Sequence, residues 1–122
     1  MKGNASVIER LASHPPADVR VPQPVIAEIA YGIERLPRSK RRSALEDRFR
    51  LISSELARIE WTDEVSQAFG RIKTVLERRG TRIEDMDAAI AAHAVAHEAT
   101  LVTADGSHMS RVPGLTVEDW SK

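Results

Sequence analysis

The sequence predicts an α/β fold in which helices flank a short parallel sheet. The first observation is that segments with helical periodicity alternate along the chain with short strand-like segments. This alternation favours a parallel sheet over a helical bundle. The second observation is size, because the chain has 122 residues and 42% of them are hydrophobic, which corresponds to one domain with a single core. We therefore expect a single domain over residues 1–122.

Proline residues mark the boundaries of the predicted elements in the first half of the chain. Before the first prolines we predict a helix over Ser6–His14, and after them a short strand over Val19–Val21. A second helix is predicted over Val25–Leu36, because its apolar residues recur along one stripe. A longer helix is predicted from Ser39 to about Ala57.

The second half of the chain continues the alternation of strands and helices. Three short strands are predicted: Arg58–Trp61, Thr100–Thr103 and Leu115–Val117. A helix over Asp63–Arg79 is expected to be capped by Thr62 and to end at Gly80. The last predicted helix, Asp87–Ala99, is rich in alanine.

Composition excludes several classes of protein. There is no cysteine, which excludes disulfides and zinc–thiolate sites. The longest strictly apolar run, Ala88–Ala92, is far too short to span a membrane. The first residues carry charge where a signal peptide needs an apolar stretch. We therefore expect a cytoplasmic protein with no membrane segment.

The charges balance, with 18 basic and 18 acidic residues, so the chain does not resemble a basic nucleic-acid coat. Fourteen of the 18 cations are arginines, and the cations cluster in segments 38–42 and 78–82. Arginine pairs well with phosphate, so these clusters fit a phosphate-binding face. Two solvated helix ends are the favoured explanation on this evidence alone, because cations are favoured near helix C-termini.

Asp87 is the first of three acids in positions where a solvated acid is not expected. On a helical wheel it shares a face with Ala91 and Ala94, so its carboxylate would lose hydration unless a charge compensates it. The alternative is an ordinary first-turn acid that the helix dipole stabilises. Asp85 lies on a different face and is the weaker candidate.

Glu28 and Asp105 are the other two acids. Glu28 lies inside the second predicted helix, one turn from Gly32, and the small residue leaves room for a ligand. The alternative is a boundary acid that faces water. Asp105 follows the strand Thr100–Thr103, and the carboxyl ends of strands face the ligand crevice in open α/β sheets. The alternative there is an ordinary Asp-Gly turn.

Taken together, these three carboxylates indicate a metal site. Carboxylates that lie close together repel and persist as anions only beside a cation. Oxygen ligands without cysteine suit Mg²⁺ or Mn²⁺. A site of this kind supports hydrolysis of phosphate esters.

The segments that carry these acids resemble one family. Ala27–Ile33 (AEIAYGI), Ile83–Ala92 (IEDMDAAIAA) and Thr100–Asp105 (TLVTAD) are similar to the signature helix, the later acidic helix and the following strand of PIN-domain ribonucleases of the VapC toxin type. The order and the spacing of the segments also match. Val112–Trp120 resembles the last strand of that family.

The resemblance implies a three-layer PIN-like domain and a metal-dependent endoribonuclease toxin of a type II toxin–antitoxin pair. It implies that Glu28, Asp87 and Asp105 are the catalytic acids and ligands of Mg²⁺ or Mn²⁺. Thr103 corresponds to a hydroxyl beside the site, and Asp85 is an auxiliary acid. The partners implied are a cognate antitoxin, an RNA substrate and a second copy of the chain.

The chain departs from the family pattern at its start. Family members begin with a central apolar strand that ends in an Asp metal ligand, and this strand would lie upstream of Met1. We expect either that the natural protein is longer and active, or that the chain is a remnant that only binds antitoxin. Loss of the strand would expose two strand edges, so we expect the isolated chain to be unstable or prone to aggregate.

The remaining residues suggest few rival sites. Besides the endoribonuclease and the module that only binds antitoxin, a third hypothesis is a structural helical domain without any site. His93 and His97 have the spacing of metal ligands on a helix, but the pattern HExxH is missing. We therefore expect both histidines to be surface or boundary residues. No base-stacking platform is evident, and Trp61 and Trp120 are expected to pack in the core or at its edge.

Overall fold

The computed structural model of the protein describes residues 20–103 and 109–119. Within these ranges the side chains of three residues are not described: Ile52, Thr103 and Asp119. The predicted helix Ser6–His14 lies outside the described residues. The chain divides into two compact units after Ile59. Each unit holds a two-stranded parallel sheet, which confirms the predicted parallel pairing.

The first unit contains four described elements: β1 (Arg20–Pro22), α1 (Gln23–Glu34), α2 (Lys40–Glu55) and β2 (Ala57–Ile59). Helix α1 begins two residues earlier than predicted, because Pro24 fits the first turn, where an amide hydrogen is not needed. Strand β2 starts one residue earlier and ends two residues earlier than predicted. It ends at Ile59 because its partner β1 ends opposite, at Pro22.

The core of the first unit lies between α1 and α2. Ile29 and Ile33 of α1 are buried, and Val25, Leu45 and Phe49 pack against them. These residues belong to the apolar stripes that the sequence predicts, so the two helices form an antiparallel hairpin held by apolar burial.

Arg42 joins α1 to α2 on the surface of this hairpin. Its guanidinium donates to the carboxylates of Glu46 and Glu34, at 2.9 and 3.1 Å, and to the Leu36 carbonyl, at 3.1 Å. The hydrogen bond to Glu46 raises the pKa of Arg42, which stays charged. Arg42 is therefore held in place, while the other three cations of segment 38–42 are exposed, so the segment is largely a solvated helix end. It lies at the N-terminal end of α2, where the helix dipole disfavours cations, and these contacts offset that effect.

The second unit contains two helices and two strands: α3 (Asp63–Arg78), α4 (Asp85–Ala96), β3 (Thr100–Thr103) and β4 (Thr116–Asp119). The predicted ends of α3 are confirmed within one residue. The Thr62 hydroxyl accepts a hydrogen bond from the Val65 amide at 3.3 Å. Gly80 follows the helix with a φ of 68°, which a residue without Cβ adopts without strain.

Helix α4 packs on α3 and is buried on almost every side. Seven consecutive residues, Ala88–Ala94, are buried, and α3 contacts α4 along its length. The buried stripe of α3 consists of Val65, Ala68, Ile72 and Leu76. Helix α4 begins at Asp85 and ends at Ala96, so the predicted bounds Asp87–Ala99 were shifted by two and three residues.

Three residues reverse the chain between α4 and β3. Glu98 has a φ of 52°, and the Ala99 amide donates to the Ala94 carbonyl at 2.9 Å. Strand β3 then pairs with β4 over four residues, from Thr100 opposite Thr116 to Thr103 opposite Asp119. Strand β4 starts one residue later and ends two residues later than predicted, because it pairs with β3 along the whole length of that strand.

No helix within residues 20–103 and 109–119 is long and apolar enough to cross a membrane.

Candidate functional site

Asp85 and Asp87 both lie in the first turn of α4, which corrects the prediction that Asp87 opens the helix. Asp87 is half-buried, and Ala91 and Ala94, which follow it on the same face, are buried. The helix dipole stabilises a carboxylate in this position. The Asp87 carboxylate is therefore partly buried, and the helix dipole favours its negative charge.

Asp85 forms an ion pair with a lysine of α3. Its Oδ1 atom lies 3.1 Å from the Nζ of Lys73, and its side chain is 70% exposed. The same ammonium group lies 5.9 Å from the centre of the Phe69 ring. A surface pair of this kind contributes little to stability, but it directs the Asp85 carboxylate toward α3.

The carboxyl end of β3 lies at the same end of the second unit as these acids. Helix α4 runs for about 18 Å at 1.5 Å per residue, the chain reverses over three residues, and β3 returns in contact with α4. Thr103, the last residue of β3, therefore lies at the edge of the second unit from which α4 starts. Asp105 lies outside the described residues.

The register also places Asp119 at this edge, directly opposite Thr103. Asp119 was not among the predicted site residues, because β4 was predicted to end at Val117. An acid two residues beyond a predicted strand is the signal that could have found it.

Glu28 lies in the first unit, on an exposed part of α1. Its neighbour Ile29 is buried, and so is Gly32, one turn further along. Glu28 thus lies at the border between the buried stripe and the exposed face of α1, and its role in a site stays a prediction. Among the side chains that the structure describes, which do not include Asp105 or Asp119, no three His, Asp or Glu residues are grouped closely enough to hold a metal ion.

The prediction that His93 is a surface or boundary residue was wrong. His93 is 0% exposed, and its Nδ1 lies 2.7 Å from the Ala89 carbonyl. Because a carbonyl only accepts, Nδ1 carries the proton. Nε2 has no hydrogen-bond partner among the described residues. His97 is exposed, as predicted, and its Nδ1 lies 3.0 Å from the His93 carbonyl. One ring is thus buried and the other exposed, which does not fit a shared zinc site.

Trp61 is more exposed than a core residue. It is 47% exposed, and its Nε1 donates to the Ser66 hydroxyl at 2.7 Å. The indole meets the His93 ring almost perpendicularly, with 5.3 Å between ring centres, and lies 6.1 Å from the Phe69 ring. Trp61 was predicted to pack in the core or at its edge, and the structure places it at the edge.

Comparison with known proteins places these features in a family. The family model described as "PIN domain" matches residues 2–115. Ribonuclease VapC2 of Rickettsia felis is 34% identical over 98 residues, which cover 80% of this chain and 71% of that protein. The tRNA(fMet)-specific endonuclease VapC of Salmonella typhimurium is 32% identical over 98 residues, covering 78% and 70% of the two chains.

Solved structures agree with the sequence relatives. The crystal structure of VapBC2 from Rickettsia felis, bound to a promoter DNA fragment, superposes with a TM-score of 0.78 at 27% identity and covers 97% of this chain and 96% of that chain. The DNA-bound VapBC structure from Salmonella typhimurium superposes with a TM-score of 0.76 at 26% identity, with 94% and 84% covered. The predicted α/β class and the resemblance to VapC-type ribonucleases are confirmed, and the chain belongs to the PIN-domain family, among the VapC ribonucleases.

Proposed function

We propose that the chain is the endoribonuclease toxin of a VapBC-type toxin–antitoxin pair and hydrolyses phosphodiester bonds of RNA. Two relatives bear the names of a ribonuclease and a tRNA endonuclease, and the similar solved structures are VapBC assemblies. These names support an RNA substrate and an antitoxin partner for this chain. We also propose that the toxin forms a homodimer within the complex.

The proposed catalytic acids are Glu28, Asp87 and Asp105. Dependence on a divalent metal is general among PIN ribonucleases, and we propose Mg²⁺ or Mn²⁺ as the ion that these acids hold. Carboxylate oxygens are the donors that such hard cations prefer. The observation that carries the proposal is Asp87, a half-buried carboxylate in the first turn of α4.

The residues of the chain position the reacting groups. A bound divalent ion supplies Lewis acidity for the phosphate and a water activated for attack. Asp87 lies in the first turn of a helix whose following residues are buried, and this packing would hold its carboxylate in place. The Thr103 hydroxyl is proposed to hydrogen-bond within the site, and Asp85 remains auxiliary because Lys73 already pairs with it.

Exposed arginines are proposed to guide the RNA backbone. Arg78, Arg79 and Arg82 lie on the surface at the end of α3 and in the loop that follows. Guanidinium groups bind phosphates in a bidentate manner and do so without reading sequence. Cleavage should therefore weaken as the salt concentration rises.

The test is cleavage of RNA by the purified chain in Mg²⁺ or Mn²⁺, with total RNA and with initiator tRNA as substrates. We expect cleavage that EDTA abolishes and that Asp87→Asn reduces by at least about 100-fold, because the variant loses a charged ligand.

The matched control is Asp63→Asn. Asp63 is also a first-turn acid, at the start of α3, so this variant loses a comparable helix-dipole interaction without touching the site. Equal loss of activity in both variants would contradict the role of Asp87. Binding of antitoxin without any cleavage by the wild type would identify a module that only binds.

A further inference from the structure

The connection between α1 and α2 carries a group of exposed cations. Arg35, Arg38, Lys40 and Arg41 lie within seven consecutive residues, and all four are exposed. None of the ion pairs that the structure describes involves any of them. Residues 20–59 hold nine basic and five acidic residues, although the charges of the whole chain balance. We call these four cations the connection cluster.

Two cations of the connection cluster occupy an unfavourable position. Lys40 and Arg41 lie in the first turn of α2, which contains no acidic residue, and the helix dipole disfavours positive charge there. The neighbouring like charges also repel one another. A bound anion would offset both effects, so the connection cluster fits an anionic partner.

Hydrogen bonds hold the backbone that carries the connection cluster. The Arg42 guanidinium donates to the Leu36 carbonyl at 3.1 Å, and the Ser39 hydroxyl accepts from the Arg42 amide at 3.1 Å. The Arg35 amide donates to the Tyr31 carbonyl at 3.1 Å, which extends α1 into the connection. A ligand therefore meets a backbone that is already ordered, which lowers the entropic cost of binding.

An exposed aromatic ring adjoins the connection cluster. Tyr31 is 64% exposed, and the Arg35 guanidinium lies over its ring, 5.5 Å from the ring centre. Unpaired RNA bases stack on aromatic rings and on arginine planes, and arginines also bind the phosphates in a bidentate manner. An acidic peptide supplies carboxylates but no bases, so a ring beside cations favours single-stranded RNA.

Tyr31 and Arg35 also lie on the same face of α1 as the proposed catalytic acid Glu28. The three residues are spaced i, i+3 and i+7, which places them within about 60° of one another around the helix axis. All three are exposed. At 1.5 Å per residue, the face extends for about 10 Å from Glu28 to Arg35. An RNA strand that reaches Glu28 can therefore continue along this face to the connection cluster.

We propose that this face of α1 and the connection cluster together bind a single-stranded segment of the substrate RNA. Tyr31 stacks on an unpaired base, and Arg35 and the cations that follow it bind the phosphates. The inference rests on the proposed function, because it takes RNA as the substrate. It adds a preference for unpaired RNA over a duplex, since a duplex keeps its bases stacked on one another.

The test measures how tightly the chain binds a short labelled RNA without self-complementary sequence, alone and in a duplex, by fluorescence anisotropy in EDTA. One double variant, Arg38→Gln with Arg41→Gln, removes two charges from the connection cluster. The control, Arg20→Gln with Arg71→Gln, removes two exposed charges elsewhere. We expect the first to weaken binding of the single strand about tenfold and to reduce the slope of log affinity against log salt by about 1.4, at about 0.7 per phosphate contact. The control should bind like the wild type.

Stacking is tested separately at Tyr31. Tyr31→Ala should weaken binding of the single strand by about fivefold or more and leave binding of the duplex unchanged, because an unpaired base loses its stacking partner. Tyr31→Phe keeps the ring and should bind like the wild type. An equal loss for single strand and duplex in Tyr31→Ala would contradict stacking.

The remaining outcomes separate this inference from the proposed function. If both double variants bind the single strand like the wild type, the inference fails, and cleavage of RNA by the wild type would still support the proposed function. If the wild type binds no RNA in EDTA, the inference fails too, and the cleavage assay alone decides on the proposed function. A cluster variant that keeps its RNA affinity but binds antitoxin less tightly would assign the connection cluster to the antitoxin and overturn the inference. The melting temperature of the cluster variant should be no lower than that of the wild type, because the lost charges lie at the unfavourable end of α2; a lower one would show a structural role instead.

Discussion

At the residue scale, His93 shows why burial can be misjudged from the sequence. A helical wheel assigns each helix one buried face and one solvated face. Helix α4 does not follow this rule, because Ala88–Ala94 are all buried. A histidine in such a segment is enclosed whichever way it points, and its Nδ1 proton bonds the Ala89 carbonyl within the same helix.

Replacement of His93 by alanine should destabilise the protein. The change removes a fully buried ring that the Trp61 indole contacts at 5.3 Å, and the resulting cavity should cost about 2–4 kcal/mol. Urea unfolding measures the difference. His97→Ala is the control, since His97 is exposed, and it should change stability by less than about 0.5 kcal/mol. Equal losses in the two variants would show that His93 packing is not the cause.

At the element scale, helix ends were easier to predict than strand ends. Thr62 and Gly80 mark α3 by local chemistry, because a hydroxyl caps free amides and a glycine accepts positive φ. The bounds of β2 and β4 depend on their partners β1 and β3, which lie far away in sequence. Periodicity near the strand itself does not contain that information, so these strands were misplaced by one or two residues.

The cap of α3 offers a direct test of this local chemistry. Thr62→Ala removes the hydroxyl that accepts from the Val65 amide and should lower the free energy of unfolding by about 1 kcal/mol. Thr74→Ala on the same helix is the comparison. Its hydroxyl bonds the Gly70 carbonyl within the helix, a contact that adds little to stability. An effect at position 74 as large as at position 62 would argue against the capping role.

At the scale of the whole molecule, the family could be identified from sequence because three acidic segments keep their order and separation. Asp87 lies in the first turn of α4, two residues after the helix begins, and the roles of Glu28, Asp87 and Asp105 remain predictions. The packing of α1 on α2 could not be predicted, because it depends on which side chains of two separate helices meet.

Metal binding should stabilise the folded chain if the three acids hold a divalent ion. A ligand that binds only the folded state raises the unfolding free energy with its concentration, by about 2.7 kcal/mol at 100 times its dissociation constant. The melting temperature of the wild type should therefore rise with added Mn²⁺ or Mg²⁺. Asp87→Asn should abolish most of this rise and Asp63→Asn should keep it. A wild-type melting temperature that is independent of metal would count against the site.

The dense packing of α4 also determines how freely this part of the chain can change. Seven successive positions, 88–94, have solvent on no side, and most of them hold alanine. A larger side chain there must displace α3 or distort its own rotamer, which typically costs about 1–3 kcal/mol. Mutational tolerance should therefore be lowest along this segment, so a toxin redesigned for a new RNA or a new antitoxin would have to vary its surface around an almost invariant helix.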